Sequence, residues 1–120
     1  NIMEPHDYAR FPEWQDDPLV RKWNLWGYVD ARDVASAVVG GLTADVRGAN
    51  VCIVAAGDIA MTRDSAGLMA EVFPDVPLRR SVEGRETLLA IDRARELLGY
   101  SPSHTWQEAL RASEPAGAAS

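Results

Sequence analysis

Two aspartates and two tyrosines are the residues of this chain whose types and spacing come nearest to catalytic chemistry. Asp30 and Asp33 stand three residues apart in the stretch WGYVDARDVASAVVG and could act as paired carboxylates in acid–base catalysis. The same spacing is typical of a helix start, where carboxylates accept hydrogen bonds from free backbone N–H groups. Helix capping with an ion pair to Arg32 is therefore the favoured interpretation. Tyr28 and Tyr100 are candidate proton donors, but neither has a lysine nearby to lower its pKa.

Other catalytic and ligand-binding patterns are missing from the sequence. His6 and His104 lie far apart and Cys52 is the single cysteine, so no set of residues has the spacing of a zinc site. His6 and His104 are both interpreted as surface residues. There is no glycine-rich dinucleotide loop, no P-loop and no G-x-S-x-G nucleophile motif. The sequence thus predicts no catalytic residue, no metal and no cofactor bound by this chain alone.

The composition limits the class of protein. The 120 residues carry a net charge of −6 with one lysine, Lys22, which disfavours nucleic acid as a partner. No basic amphipathic stripe and no run of 18 apolar residues suggests contact with a membrane. The expected setting is the cytoplasm. Cys52 lies in NVCIVAA and is predicted to be an inert, buried thiol.

The elements that must position these residues alternate along the chain. Residues 1–22 have no sustained period and are expected to be irregular, although they contain three aromatic side chains. Residues 23–29 are predicted to form a short strand. ANVCIVAAGD, residues 49–58, is predicted to form a strand buried on both faces. LRRSV, residues 78–82, is a candidate edge strand.

Four helices are predicted from their caps and periodicity. Asp30 is expected to begin the first, and one face of that helix is apolar. The residues of this face are Val34, Ala35, Val38 and Leu42. Thr62 is expected to cap a helix over 63–73, and Asp92 caps a third that ends at Gly99 in the left-handed conformation. Residues 105–108, TWQE, form a capping box that opens the last helix, to about residue 112. Residues 113–120 are expected to be a disordered tail.

This order of elements predicts an α/β fold with short strands alternating with helices. Two or three short strands make a poor sheet by themselves. The chain therefore has the character of one part of a larger α/β protein.

Four stretches resemble one enzyme family in sequence and order. They are NIMEP, WGYVDARDVASAV, ANVCIVAAGD and TLLAIDRARELLGYSPSHTW. Together they resemble the C-terminal portion of NAD(P)-dependent epimerase/dehydratases, the extended short-chain dehydrogenase/reductase family. The resemblance covers residues 1–112, and its most specific part is D-x-A-R-x-L-L-G-Y-x-P followed by a tryptophan.

The resemblance implies that the chain is the small substrate-binding region of an extended Rossmann-type enzyme. In that family an N-terminal Rossmann domain binds NAD or NADP and supplies a Tyr-x-x-x-Lys pair, and neither is present here. Asn1 and Pro5 match the Asn and Pro of the family's R-x-x-N-x-x-G-P segment, while Glu4 replaces its Gly. The missing domain is the implied partner, and self-association is expected where it would dock.

The resemblance also implies a set of substrate contacts. The residues are Asn1, Met3, Tyr8, Trp26, Tyr28 and Arg80. Members that use nucleotide sugars often carry an Arg two residues before the aromatic matched by Tyr28, and that position is Trp26 here. An indole cannot neutralise a diphosphate, so a smaller or more apolar molecule is expected instead of a nucleotide-diphosphate sugar. Arg79 or Arg80 lies near a second phosphate-facing position. Trp26 is the tryptophan expected at the cleft.

A second hypothesis remains open at this stage. The chain could be a stand-alone α/β binding or interaction module without enzymatic activity. That hypothesis predicts a start codon directly before residue 1 and a well-ordered monomer. The family hypothesis predicts a coding sequence for a Rossmann domain and exposed apolar surface where that domain docks.

Overall fold

A computed structural model describes residues 1–113. Of the expected tail at 113–120, Ser113 is the last residue of a helix, and residues 114–120 lie outside the described residues. The described residues form five α-helices, two 3-10 helices and two short strands. In chain order these are β1 (Ile2–Met3), a 3-10 helix (Pro5–Arg10), α1 (Phe11–Trp14), a 3-10 helix (Lys22–Asn24), β2 (Val29–Asp30), α2 (Ala31–Thr43), α3 (Ser65–Val72), α4 (Asp92–Leu98) and α5 (Trp106–Ser113). The expectation of mixed helix and strand is confirmed.

The sheet consists of β1 and β2, which run parallel with Ile2 opposite Val29 and Met3 opposite Asp30. β2 leads directly into α2, so Asp30 ends the strand and caps the helix. Its side chain accepts from the backbone N–H of Arg32 at 2.8 Å, which confirms the predicted cap. The parallel pair therefore fixes where α2 begins.

Residues 1–22, expected to be irregular, contain β1 and two short helices. Their aromatic side chains supply three of the eight buried residues of one core cluster. The cluster comprises Met3, Tyr8, Phe11, Trp14, Tyr28, Ala56, Ala60 and Trp106. Phe11 is fully buried, and its ring centroid lies 4.6 Å from that of Trp14 and 5.5 Å from that of Trp106. Burial of these rings folds a segment that has no periodic pattern of its own.

The predicted strand at 23–29 is wrong over most of its length. A 3-10 helix ends at Asn24, and Leu25 and Trp26 follow with φ of 55° and 58°. Residues other than glycine rarely adopt this left-handed backbone conformation. Here it reverses the chain before β2 begins at Val29. The candidate edge strand at 78–82 is also wrong, since these residues form bends and irregular chain.

Residues 49–58 do not form the predicted buried strand, and Cys52 is half-buried. Cys52 and Val54 pack against a core cluster on one side, whereas Val51 is 84% and Ile53 45% exposed. This alternation is that of a strand. Among the described residues, however, no backbone hydrogen bond joins any of residues 51–54 to another part of the chain.

The apolar face predicted for α2 does not face the core. Asp33 and Ala37 are the buried residues of the helix, whereas Val38 is 58% and Leu42 81% exposed. The reason lies at Gly40, which approaches α4 so closely that a Cβ would stand 2.5 Å from the carbonyl oxygen of Leu98. The side of α2 that carries small residues packs against α4, and its larger aliphatic side chains point outward.

The three later helices lie close to their predicted positions. Asp64, and not Thr62, caps α3 by accepting from Gly67 N at 3.2 Å. Asp92 is the first residue of α4 and does not cap it, since the N-cap position is Ile91, whereas Gly99 has the left-handed φ of 64° expected at the end of this helix. Glu108 N donates to Thr105 Oγ1 at 3.4 Å, which confirms the N-terminal cap of α5. Within residues 1–113, none of the helices has the length and apolar character needed to cross a membrane.

The contact between α2 and α4 yields a prediction. Gly40→Ala should lower the free energy of unfolding by about 1–3 kcal/mol, because the new methyl group would collide with the Leu98 carbonyl. Gly41→Ala is the control, since its Cβ would stand 3.9 Å from Leu98 Cδ2 and alanine favours a helix. Urea denaturation measures both. A Gly40→Ala protein as stable as Gly41→Ala would contradict this packing.

Candidate functional site

A cleft of about 200 Å³ opens where β1, the first 3-10 helix and the 18–26 loop meet. We call it the arginine cleft; it is lined by Asn1, Ile2, Met3, Asp7, Arg10, Trp14 and Arg21. Asp7 and Glu4 cap the 3-10 helix reciprocally, and Glu4 N donates to Asp7 Oδ2 at 2.8 Å. Pro5 begins that helix and Arg10 ends it. These local rules bring Asp7 and Arg10 to one wall of the cleft.

Arg21 reaches the cleft from a loop whose backbone is tightly held. Trp26 N donates to the Arg21 carbonyl at 3.1 Å, and Trp26 Nε1 donates to the Pro18 carbonyl at 2.8 Å. The left-handed residues Leu25 and Trp26 make this fold-back possible, at a cost on the order of 1–3 kcal/mol each. The Trp26 ring is buried in a core cluster with Ile59, Met61, Leu68 and Met69, and this burial offsets that cost.

The Arg21 side chain is stacked on aromatic rings. Its guanidinium carbon lies 4.4 Å from the ring centroid of Trp14 and 5.0 Å from that of Trp23. Burial and the neighbouring charge of Arg10 lower the pKa of Arg21 from its ordinary value. Within residues 1–113, neither arginine forms an ion pair. The cleft thus holds two cations, neither of which forms an ion pair with a described residue.

Tyr8, one of the expected substrate contacts, is buried and hydrogen-bonded to Asp30. Its hydroxyl donates to Asp30 Oδ2 at 2.6 Å, and Arg32 Nε and Nη2 donate to the same carboxylate at 2.9 and 3.0 Å. Hydrogen bonds from Arg32 hold the pKa of Asp30 well below its usual range, although burial opposes them. Burial raises the pKa of Tyr8 far above its ordinary value. A phenol held in this way is a poor proton donor near neutral pH.

Tyr28 makes a second buried pair close to the first, and its ring centroid lies 6.3 Å from that of Tyr8. Its hydroxyl donates to Asp58 Oδ1 at 2.5 Å and accepts from Trp106 N at 3.0 Å. Burial raises the pKa of both Tyr28 and Asp58, while Arg85 Nη1, 3.5 Å from Asp58 Oδ2, works in the opposite direction for the carboxyl. This group ties α5 to β2. Its geometry is that of a structural link.

Asp33 links the first turn of α2 to the chain before α5. It is 2% exposed and accepts from Ser103 N at 3.2 Å and from His104 N at 3.1 Å. His104 Nδ1 lies 2.8 Å from Asp33 Oδ1. The interpretation of His104 as a surface residue is therefore wrong, because this contact holds it half-buried. Asp33 holds a loop in place, and the Asp30–Asp33 pair is not open to a substrate.

A second cleft, of about 300 Å³, lies among residues 77–90. We call it the apolar cleft; its lining includes Leu25, Met69, Leu78, Arg79, Arg80 and Leu88. Arg80 Nη2 lies 3.9 Å from Asp92 Oδ2, and both side chains are exposed, so this pair holds the arginine only weakly. Arg80 thus lines the apolar cleft and does not line the arginine cleft.

The six residues expected to contact substrate are thus divided. Asn1 and Met3 line the arginine cleft, and Arg80 lines the apolar cleft. Trp26 is fully buried, whereas Trp23 is 65% exposed, so the expected orientation of Trp26 toward a cleft is wrong. The closed left-handed loop explains the reversal. Tyr8 and Tyr28 are buried in the aromatic cluster.

Sequence reasoning missed Arg10, Trp14 and Arg21, which complete the arginine cleft. They lie in the segment expected to be irregular, and no periodicity relates them. The one signal in the sequence was the position of Arg21 between two tryptophans, Trp14 and Trp23. Among residues 1–113, no three His, Cys, Asp or Glu side chains are grouped as metal ligands.

Comparison with family models, with curated proteins and with solved structures finds no match to this chain.

The buried carboxylate of Asp30 yields a prediction about pH. Because its pKa is depressed in the folded state, its contribution to stability is present above about pH 4 and is lost as the pH falls. Asp30→Asn keeps a capping side chain but removes the charge, and should cost about 1–2 kcal/mol at pH 7. The difference between the two proteins should shrink toward pH 3.

Chemical denaturation at a series of pH values measures this difference. Asp64→Asn is the matched control, because Asp64 caps α3 without a tyrosine or arginine partner on its carboxylate. A stability difference for Asp30→Asn that stays constant from pH 7 to pH 3 would contradict the assignment.

Proposed function

We propose that this chain is the substrate-binding region of an NAD(P)-dependent enzyme of the extended short-chain dehydrogenase/reductase family. The parent reaction is hydride transfer in a reduction, epimerisation or dehydration. The cofactor site and the catalytic Tyr-x-x-x-Lys pair belong to a Rossmann domain outside these residues. This chain contributes binding surface and does not catalyse the reaction alone.

The observation that carries the proposal is the state of residues 51–54. They are β-branched or small, they alternate like a strand, and among the described residues their backbone groups have no backbone partner. Unpaired strand edges are templates for pairing with another strand. One face is packed through Cys52 and Val54, and the other face is bare at Val51 and Ile53. A neighbouring domain that adds a strand and covers this face satisfies both requirements.

Two further features support a neighbouring domain. The outer side of α2 exposes Val38, Val39 and Leu42, of which Leu42 is 81% exposed. Parallel sheets occur almost always with both faces covered by other elements, and the β1–β2 pair has two residues in each strand. Exposed aliphatic side chains and a minimal parallel pair are both typical of a region cut from a larger α/β protein.

The proposed substrate is a small molecule. The two clefts, of about 200 and 300 Å³, lie at or below the lower end of the about 300–1,000 Å³ typical of sites for drug-sized ligands. A nucleotide-diphosphate sugar is larger than either cleft alone. The proposed enzyme acts in the cytoplasm and takes NAD or NADP in its other domain.

The coding sequence before Asn1 gives the first test. The proposal predicts an in-frame segment that encodes a glycine-rich turn after a strand and a Tyr-x-x-x-Lys pair. An isolated chain of residues 1–120 should then neither enhance NADPH fluorescence nor turn over the cofactor. A start codon directly before Asn1 would support the stand-alone binding module and contradict the proposal.

The bare face of residues 51–54 gives the second test. Val51→Lys with Ile53→Lys should reduce self-association of the isolated chain, because charge on an open strand edge opposes pairing. Stability should change by less than about 0.5 kcal/mol, since both side chains are substantially exposed. Light scattering with size-exclusion chromatography measures the assembly.

Val76→Lys is the matched control for this variant. Val76 is 52% exposed in a turn after α3, so the same substitution there adds charge away from the proposed interface. Equal effects of the control and the double variant would show that net charge, and not the strand edge, governs association.

A further inference from the structure

The arginine cleft has the composition of an anion site. Its lining includes the guanidinium groups of Arg10 and Arg21, the amide of Asn1 and the indole of Trp14. We propose that this cleft binds the oxyanion of a small molecule, a carboxylate or a phosphate. The inference rests on the proposed function only in identifying that molecule with the substrate, since the binding chemistry belongs to this chain.

The charges that line the cleft favour a bound anion. Two cations and one carboxylate, that of Asp7, line the cleft, which leaves one uncompensated positive charge in a chain whose net charge is −6. Asp7 is already engaged, since Oδ2 accepts from Glu4 N at 2.8 Å and Oδ1 lies 3.4 Å from His6 Nε2. With eighteen acidic residues available, the described part of the chain pairs neither arginine with one.

Unsatisfied donors are the second argument. Arg21 Nε is buried and has no hydrogen-bond partner among the described residues. The neutral Asn1 amide, turned with its oxygen toward the guanidinium, accepts from Nη1 at 3.2 Å and from Nη2. This contact adds no negative charge. A buried N–H without a partner carries a cost that a bound oxyanion would remove.

The Arg21 guanidinium is held in place before any ligand binds. Stacking on Trp14 and Trp23 fixes the plane of the Arg21 guanidinium, so the N–H groups that Asn1 does not occupy point to acceptors in that plane. Hydrogen bonds from Trp26 to the carbonyls of Arg21 and Pro18 hold the loop that carries it. A planar fork fixed in this way matches the geometry of a carboxylate or phosphate. Met3 and Ile2 add apolar lining for the body of a small ligand.

Titration of the full chain with inorganic phosphate and, separately, with acetate tests the inference at constant ionic strength. Nitrogen–proton correlation spectra report on the Arg21 Nε–H and on the indole N–H groups of Trp14 and Trp23. We expect saturable shifts at these groups. Tighter binding of phosphate would identify a phosphate as the ligand group, and tighter binding of acetate a carboxylate.

Variants separate binding from folding. Arg10→Gln removes an exposed charge and should weaken binding by about tenfold or more without loss of the folded spectrum. Asp7→Asn keeps an acceptor for Glu4 N and removes the repelling charge, so it should tighten binding severalfold. Arg63→Gln is the matched control, because Arg63 is paired with Glu71 on α3 at 3.0 Å.

The results that overturn the inference are defined by the same titrations. Chemical shifts that do not saturate, or that are the same in Arg10→Gln and Asp7→Asn as in the unaltered chain, would show that the cleft is not an anion site. A control variant Arg63→Gln that weakens binding as much as Arg10→Gln would assign the effect to net charge. Either outcome leaves the coding sequence before Asn1 as an independent test of the proposed function.

Discussion

The rest of the structure depends on one short ribbon, residues 26–30, which is bonded through its backbone on both sides. Val29 N donates to the Asn1 carbonyl on one side, while Ala56 N and Ala60 N donate to the carbonyls of Tyr28 and Trp26 on the other. The side chains of this ribbon are all buried, and Asp30 at its end begins α2. Loss of this ribbon would separate the N-terminal segment, the 56–60 segment and α2 from each other.

The sequence predicted several features that depend on local rules, although the caps expected at Thr62 and Asp92 lie at Asp64 and Ile91 instead. The Asp30 cap, the left-handed Gly99 and the Thr105 cap are decided by neighbours within four residues, and the structure has all three. The sequence could not predict which side of α2 packs, because that depends on the close contact of Gly40 with Leu98, 58 residues later in the chain. Nor could it predict the arginine cleft, since Arg21 depends on a left-handed loop that no short-range pattern marks.

The buried carboxylates and phenols illustrate why residue type alone is a poor guide to chemistry. Tyr8, Tyr28 and Asp30 have the types of catalytic residues, yet short hydrogen bonds and burial keep the two phenols protonated and the carboxylate ionised. Within residues 1–113, Arg10 and Arg21 instead form no ion pair, and the backbone of residues 51–54 has no backbone partner. We propose a partner for each: an anion for the two arginines and a strand of a neighbouring domain for residues 51–54. The proposed enzyme region supplies a reason for both.

The central claim is that another domain adds a strand beside residues 51–54, and amide hydrogen exchange tests it most directly. The isolated chain would be compared, at the amides of Val51, Cys52, Ile53 and Val54, with the longer polypeptide that the proposed function predicts. The account predicts rapid exchange in the isolated chain and strong protection in the longer polypeptide, because a strand partner would satisfy these amides. Equally rapid exchange in both would contradict it.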